Sequence, residues 1–334
     1  MRAVARVGRD RNLLATATAA LGAALALAAW QVQVARADEG GVSFWDPGEA
    51  GSFAAIAPSP GWSLPLLFNS YNGSKGAQRV LPNGQVTGSL SASLDGLYIV
   101  PTYTVGTTIL GAVPSFSMAQ IPAYVAASAG IGVGPLSVSR SDSVWGGSDL
   151  YPAARLFWDR GVNNFMAYVM GDIPVGSYNP NRLANIGIGH GAIDGGGAYT
   201  YLNTKTGTEF SATLGFTGNF ENPSTNYTNG IDAHLDLAAA QFLNKQLFVG
   251  AVAYVYQQLT PDRGQRAILG PNESRTRGVG PQIGYNFNVN GTAIYTNVRA
   301  YWEFDSYRRL QGHAVYVTVN IPLSGLFAGK QPPE

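Results

Sequence analysis

Alternate residues of the segment 293–305, AIYTNVRAYWEFD, form two chemically different sets. The first set is apolar apart from one threonine: Ile294, Thr296, Val298, Ala300, Trp302 and Phe304. The second set carries the polar and charged groups: Tyr295, Asn297, Arg299, Tyr301, Glu303 and Asp305. Successive side chains of a β-strand point to opposite faces, so the segment predicts a strand with one apolar face. That face meets a core in a soluble sandwich and lipid in an outer-membrane barrel.

Three further segments, 208–221, 279–289 and 313–323, alternate in the same way. Each is close to the roughly 9–11 residues that a tilted membrane strand requires. Weaker candidates for strands occupy residues 62–71, 86–103, 109–125, 148–158, 163–174, 191–202, 230–242 and 245–258. Together these segments predict about twelve strands, an even number, as bacterial single-chain barrels have.

The connections between these segments alternate between short and long. Short, turn-like connections lie at residues 105–108, 159–163, 203–207, 243–246 and 289–292. Longer polar connections lie at residues 72–85, 126–147, 175–190, 221–229, 259–276 and 306–311. An up-and-down outer-membrane barrel has short periplasmic turns and longer external loops, whereas a Greek-key sandwich has no reason to alternate. The sequence therefore predicts an all-β fold, a transmembrane antiparallel up-and-down β-barrel in the bacterial outer membrane.

Composition agrees with this prediction and excludes other classes of protein. Charged residues make up 12% of the chain, whereas soluble domains have about 25%. The body of the chain has no run of about 18 consecutive apolar residues that would indicate a membrane helix. The sequence has no basic patch of the kind that would indicate a nucleic-acid partner. The chain has no cysteine, so it must hold its fold without disulfides, as a barrel with a closed hydrogen-bond ladder can do.

The N-terminus has the features of a bacterial export signal. Four arginines precede an Ala/Leu-rich run at residues 13–29, and the small-x-small sequence ARA occupies residues 35–37. This order of basic, apolar and cleavage regions predicts a signal peptide over residues 1–37. An uncleaved anchor helix is the alternative, although the run is short and rich in alanine for a span of about 20 residues.

Residues 38–61 show no sustained period, yet they contain aromatic and apolar side chains among glycines and prolines. A disordered tail would seldom need such residues. A barrel of about twelve strands is wider than one that wall side chains alone can fill. We therefore expect this segment to fold into the lumen as a plug, ahead of a barrel at residues 62–323 and a tail at 324–334. The plug candidates are Phe44, Trp45, Phe53 and Ile56.

The polar faces of the predicted strands give the candidates for the lumen lining: Arg155, Asp232, His234, Asp236, Asn297, Arg299, Tyr301, Glu303 and Asp305. A histidine flanked by two carboxylates could act as a general base, which leaves a barrel hydrolase using His234 as an alternative function. However, residues two apart on a strand are separated by about 7 Å, and lumens commonly hold paired charges. The three histidines have no ligand spacing, so no metal and no cofactor are expected.

Several motifs resemble the bacterial outer-membrane barrel family named for the meta-pathway of phenol degradation. The resemblance is carried by EGGVSFWDPGEAGSFA near the start of the mature chain, by residues 174–187, 214–230, 254–264 and 278–287, and by YWEFDSYRRLQGHAVYVTVNIPL at residues 301–323. This family is similar in architecture to the long-chain fatty-acid transporter barrels. The resemblance implies uptake of aromatic or other hydrophobic compounds, and it supplies no catalytic residues.

These observations predict a monomeric barrel, not an enzyme, that passes small hydrophobic or aromatic molecules by passive diffusion. Its expected partners are outer-membrane lipid and these small molecules. The alternatives are the hydrolase that uses His234 and a structural or adhesion barrel whose loops bind an external partner. The chain differs from many such barrels because it continues past the last strand through the sequence SGLFAGKQPPE.

Overall fold

The structure, a computed structural model, describes residues 42–81, 84–264, 273–289 and 291–323. The predicted signal peptide (1–37) and C-terminal tail (324–334) lie outside the described residues. Among the residues that are described, no helix is long and apolar enough to span a membrane.

The described chain is built almost entirely of strands, in keeping with its two-residue alternation. They are β1 (Gly61–Leu81), β2 (Gly84–Ile99), β3 (Thr102–Thr104), β4 (Val113–Ala119), β5 (Pro122–Val133), β6 (Leu136–Gly147), β7 (Tyr151–Arg160), β8 (Asn163–Gly171), β9 (Ala192–Asn203), β10 (Thr208–Asn219), β11 (Tyr227–Thr228), β12 (Asp232–Phe242), β13 (Leu247–Gln258), β14 (Arg263–Gly264), β15 (Arg275–Val289), β16 (Thr292–Tyr307) and β17 (Gln311–Pro322). The short strands β11 and β14 pair only with each other.

Twelve of these strands form a closed antiparallel ring. Their order is β1, β3, β4, β7, β8, β9, β10, β12, β13, β15, β16 and β17, and β17 pairs with β1 to close the ring. Each strand in the ring therefore has two hydrogen-bonded neighbours, which is the condition for a sheet that crosses lipid. The predicted barrel of about twelve strands is confirmed.

Four strands extend beyond this ring on the side of the longer loops. β2, β5 and β6 continue the paths of β3, β4 and β7 after short interruptions, and the upper part of β1 pairs with β2. The prediction of loops at residues 72–85 and 126–147 is therefore wrong, because β1–β2 and β5–β6 are hairpins there. Their outward side chains are polar because they lie beyond the apolar belt. Examples are Asn72, Ser74, Ser91 and Ser93.

The two faces of β16 have different surroundings, as the alternation predicts. Val298, Trp302 and Phe304 are 43–58% exposed on the outside of the ring. Large apolar side chains are exposed in the same way on other strands of the ring, including Phe165, Val169, Ile193, Phe210, Leu214, Phe216, Val279 and Ile283. The alternate residues Asn297 and Arg299 are buried inside the barrel. The apolar belt thus faces lipid, and the polar set faces the lumen.

Asp305 departs from the alternation. Its φ is +52°, and the register between β15 and β16 shifts here. The shift inserts one extra residue in β16, as a β-bulge does. The Asp305 side chain lies outside the lumen, where it pairs with Arg275 at 3.1 Å and Arg277 at 3.2 Å. Ser306 faces inward instead and bonds to Thr276 at 2.8 Å. Asp305 was predicted to line the lumen, and the bulge is the reason that it does not.

Candidate functional site

Residues 42–60, called the plug segment below, lie inside the ring and have no ladder partners of their own. One carboxylate of the wall accepts hydrogen bonds from several N–H groups of the segment. Asp236 on β12 accepts hydrogen bonds from Trp45 Nε1 at 3.2 Å, Gly48 N at 3.0 Å and Ala50 N at 3.1 Å. An ionised carboxylate accepts such bonds more strongly than a neutral group does. Asp236 therefore fixes the first turn of the plug segment against the wall.

Two side chains of β16 hold the carbonyl groups of the same turn. Arg299 donates from Nε to the Gly48 carbonyl at 3.1 Å and from Nη2 to the Glu49 carbonyl at 2.5 Å. Tyr301 donates its hydroxyl to the Gly48 carbonyl at 3.2 Å. Gly48 has a φ of +90°, and a Cβ there would lie 2.9 Å from the Tyr301 ring. The tight approach of backbone to wall thus requires glycine at this position.

Phe53 anchors the plug segment close to the short turn between β12 and β13. Its amide donates to Glu209 Oε1 at 3.0 Å. Its ring contacts Phe242, Phe248 and Tyr295, with centroid separations of 5.4–6.0 Å. The contacts with Phe248 and Tyr295 are edge-to-face, and all three bury aromatic area inside the barrel. Phe53, Phe44, Trp45 and Ile56, the predicted plug candidates, all lie within the ring, so the plug remains a proposal with direct geometric support.

His234 belongs to a closed polar group beneath Trp45. Its Nε2 lies 3.1 Å from Asp194 Oδ2, and neither side chain has any exposed area. Tyr168 donates its hydroxyl to the other oxygen of Asp194 at 2.7 Å. The Trp45 ring stacks on the imidazole. A general base must reach its substrate, whereas here a tryptophan covers the ring, so the geometry favours a structural role for His234.

The other predicted lumen residues have separate partners. Asp232 accepts a hydrogen bond from Asn219 at 2.9 Å. Glu303 accepts from the hydroxyls of Tyr71 and Tyr254, each at 2.9 Å. The structure thus places His234, Asp236, Arg299 and Tyr301 in contact with the plug segment, with Asn297 hydrogen-bonded to Arg299. Arg155 lies across a cavity from the segment, while Asp232 and Glu303 lie elsewhere on the inner wall.

The plug segment leaves one side of the lumen unfilled. The upper cavity, of about 190 Å³, lies towards the longer loops. Its apolar lining includes Phe44, Leu94, Tyr98, Ala153, Ile186 and Ile188. The lower cavity, of about 290 Å³, lies towards the short turns. Its apolar lining includes Ala54, Ile56, Pro58, Pro65, Phe157 and Met166. The wall of the upper cavity comes mainly from β2, β4 and β7, and that of the lower cavity mainly from β1, β4, β7 and β8.

Four residues are common to the two cavities and mark the constriction between them. They are Glu49 of the plug segment, Val100 between β2 and β3, Arg155 on β7 and Met170 on β8. Arg155 is a predicted lumen residue. The sequence did not indicate Glu49, because it belongs to the aperiodic segment. There, no two-residue alternation shows which way a side chain points. Its place at the constriction depends on the folded path of the plug segment.

No metal centre accompanies this arrangement. In the described parts of the chain, no group of three or more His, Cys, Asp or Glu side chains could hold a metal ion. The site therefore offers apolar surface, hydrogen-bonding groups and a few charges, which are suited to binding and passage of small molecules.

Solved structures of similar fold are outer-membrane barrels. The chain is similar to the COG4313 outer membrane channel from Pseudomonas putida F1, with a TM-score of 0.56, 11% identity, and coverage of 83% of this chain and 99% of that one. A Pseudomonas aeruginosa FadL homologue gives a TM-score of 0.44 and 8% identity, with coverage of 85% and 96%. Among curated proteins, none matches the sequence significantly. The first likeness shows the fold of an outer-membrane barrel.

A family model matches most of the barrel directly in sequence. The match extends over residues 68–319, from the first long strand to the last. It includes the strands that carry the lipid-facing belt and the inner wall of both cavities. The chain therefore belongs to the family described as "Putative MetA-pathway of phenol degradation", and it is a β-barrel of the bacterial outer membrane.

Proposed function

We propose that this barrel is a channel through which small hydrophobic or aromatic molecules diffuse passively across the outer membrane. The observation that carries the proposal is the pair of apolar cavities beside the plug segment. The family description names phenol degradation, and the similar Pseudomonas putida F1 protein is described as an outer membrane channel. Both agree with a role in supplying small aromatic compounds.

The anchors of the plug segment and the two cavities lie on different sides of the lumen. Asp236, Arg299 and Glu209, which hold the backbone, belong to β12, β16 and β10. The cavities are lined mainly by β1, β2, β4, β7 and β8. A fixed plug can therefore coexist with a passage along the opposite wall. This division of the lumen is what a narrow, selective channel requires.

The size of the cavities favours single rings over larger molecules. An apolar cavity of about 150 Å³ is enough to hold a benzene molecule in another protein. The upper cavity of about 190 Å³ accordingly fits one substituted aromatic ring. Bulky solutes would clash with the side chains at the constriction, and strongly hydrated solutes would have to lose bound water there. We expect flux to depend only on the concentration gradient.

Filling the upper cavity tests this function. Ala153 lines the cavity, whereas its neighbour Ala154 faces the other side of β7. Ala153→Phe should slow uptake of small aromatics into proteoliposomes, and Ala154→Phe should leave it unchanged. Heat-modifiable mobility on gels checks that both variants form barrels. Equal uptake by both variants would show that the passage does not run through the upper cavity, and no protein-dependent uptake at all would favour the structural or adhesion barrel instead.

A monomer is the simplest assembly for this channel. Since β17 pairs with β1 of the same chain, one copy completes the ring and encloses both cavities. No second copy is needed to form the passage. Light scattering of the detergent-solubilised protein, corrected for bound detergent, should give the mass of one chain. A larger stable assembly would contradict this expectation.

A further inference from the structure

The constriction between the upper and lower cavities contains a carboxyl group, a guanidinium group and two apolar side chains. Glu49 enters from the plug segment and Arg155 from β7, and both line the two cavities. Val100 and Met170 complete the set. Any molecule that moves from one cavity to the other must pass these four side chains.

The two charges do not satisfy each other. Within the described residues, the Glu49 carboxylate has no hydrogen bond or ion pair, and it is not within ion-pair distance of Arg155. The Arg155 guanidinium makes one hydrogen bond, from Nη1 to Ser117 Oγ at 2.7 Å, although a guanidinium has five N–H donors. Free hydrogen-bond acceptors of Glu49 and free N–H donors of Arg155 therefore line the same passage.

Nearby carboxylates are different in this respect. Asp46 accepts hydrogen bonds from Asn69 and Tyr98, both at 2.6 Å. Asp236 accepts three hydrogen bonds from the plug segment, and Asp194 is held by Tyr168. Buried polar groups in proteins are normally satisfied in this way. Asp46, Asp194 and Asp236 are thus held by hydrogen bonds from the plug segment or the inner wall, whereas the Glu49 carboxyl group at the constriction is not held in this way by any described residue.

We propose that Glu49 and Arg155 bind the hydroxyl group of a neutral, otherwise apolar molecule while its apolar body contacts Val100 and Met170. A hydroxyl group can donate to the carboxylate and accept from the guanidinium at once. A hydrocarbon of the same shape can do neither, and it would displace water without replacing its hydrogen bonds. This inference rests on the proposed function and narrows its substrate class to hydroxyl-bearing small molecules.

The test compares two ligands of nearly equal shape, benzyl alcohol and ethylbenzene, as blockers of single-channel current in planar bilayers. Hydrogen bonds to charged groups contribute about 1.5–3 kcal/mol, so benzyl alcohol should block at a concentration roughly 10- to 100-fold lower. Glu49→Met and Arg155→Met should each reduce this preference, and the double variant should abolish it. Matched controls are Glu221→Met, in an exposed loop, and Arg160→Met, at the exposed end of β7.

Each outcome has a separate meaning. Loss of the preference with unchanged block by ethylbenzene supports the site. Unchanged preference in the double variant overturns it, as does tighter block by benzoate or benzylammonium, because the site would then select an ion. If the alcohol has no advantage but ethylbenzene still blocks, the hydroxyl site fails and the channel stands. If neither ligand blocks the unmodified protein, the proposed function fails as well.

Discussion

The indole ring of Trp45 lies parallel to the imidazole ring of His234, with 3.8 Å between ring centroids and 11° between ring planes. This stack joins the plug segment to β12 at the same turn where Asp236 accepts the Trp45 Nε1–H. His234 is held in turn by Asp194 on β9 at 3.1 Å. The position of the plug segment therefore depends on His234, the residue that sequence analysis proposed as a possible general base.

Removing the imidazole should loosen the plug segment. Aromatic pairs contribute about 0.5–1.5 kcal/mol beyond buried area, so His234→Ala should raise the population of a displaced plug by roughly two- to tenfold. More frequent high-conductance events in planar bilayers would report this displacement. His234→Phe keeps a ring under Trp45 and should have a smaller effect. Identical traces for the two variants would contradict the stacking argument.

Deleting residues 40–58 should leave a folded barrel with an open lumen. The ring strands pair with each other and not with the plug segment, so their ladder survives its loss. Without the segment the lumen is wider than its own side chains fill. Single-channel conductance should rise, and discrimination among solutes should fall. A correctly folded deletion variant with unchanged conductance would show that the segment does not restrict the passage.

Two valines on the outside of the barrel test the lipid-facing belt. Val298 is 43% exposed within β16, and Val289 is 41% exposed at the end of β15. Arginine on the lipid face costs about 2–4 kcal/mol at the bilayer midplane and about 0–1 kcal/mol near the interface. Val298→Arg should therefore lower the free energy of unfolding in lipid vesicles much more than Val289→Arg does. Equal losses would contradict the assigned depth.

Single cysteines can establish the topology because the chain has none of its own. Ser137 lies on the projecting β5–β6 hairpin, and Lys205 lies in the short turn between β9 and β10. An impermeant maleimide added to intact cells should label Ser137→Cys and spare Lys205→Cys, since longer loops of such barrels face outward. Labelling after cell lysis controls for accessibility. The reverse pattern would mean that the barrel has the opposite orientation.

Asp172, in the loop after β8, should make stability depend on pH. Its carboxylate oxygens are buried without a hydrogen-bond partner among the described residues, and burial together with Asp149 raises its pKa to about 8. The unfolded chain has the ordinary pKa of about 3.9, so it loses this proton at lower pH than the folded protein. The free energy of unfolding should fall as pH rises from about 4 to 8. Asp172→Asn should flatten this slope in urea titrations, and an unaltered slope would refute the assignment.

The two-residue alternation of the sequence could assign residues to the lumen or the lipid face only where the strand is regular. For Asn297, Arg299 and Tyr301 the two-residue period gives the inward direction without tertiary information. Asp305 breaks the rule because its bulge depends on pairing with β15, which local sequence does not encode. The projecting hairpins were predicted as loops for another reason. Outside the lipid both faces of a strand can be polar, so the alternation that identifies membrane strands disappears.

The site was less predictable than the fold. Candidate residues could be named from polar faces, yet their partners come from distant strands. Asp194 contacts His234 across 40 residues of sequence, and Glu49 lines the same constriction as Arg155 only because of the path of an aperiodic segment. A cavity is the space that remains after distant segments have packed together, so no short sequence pattern predicts its position. The aromatic content of residues 38–61 was the one local signal that something folds inside the barrel.

The plug segment precedes the first strand, but its docking surface includes the last. Asn69 on β1 donates to Asp46 at 2.6 Å, and Tyr316 on β17 donates to the Pro47 carbonyl at 3.0 Å. β1 and β17 become neighbours only when the ring closes. The plug segment therefore has its complete docking surface only after the ring has closed. Complete docking of the plug segment would then depend on ring closure, and a barrel that failed to join its ends would hold the segment less tightly.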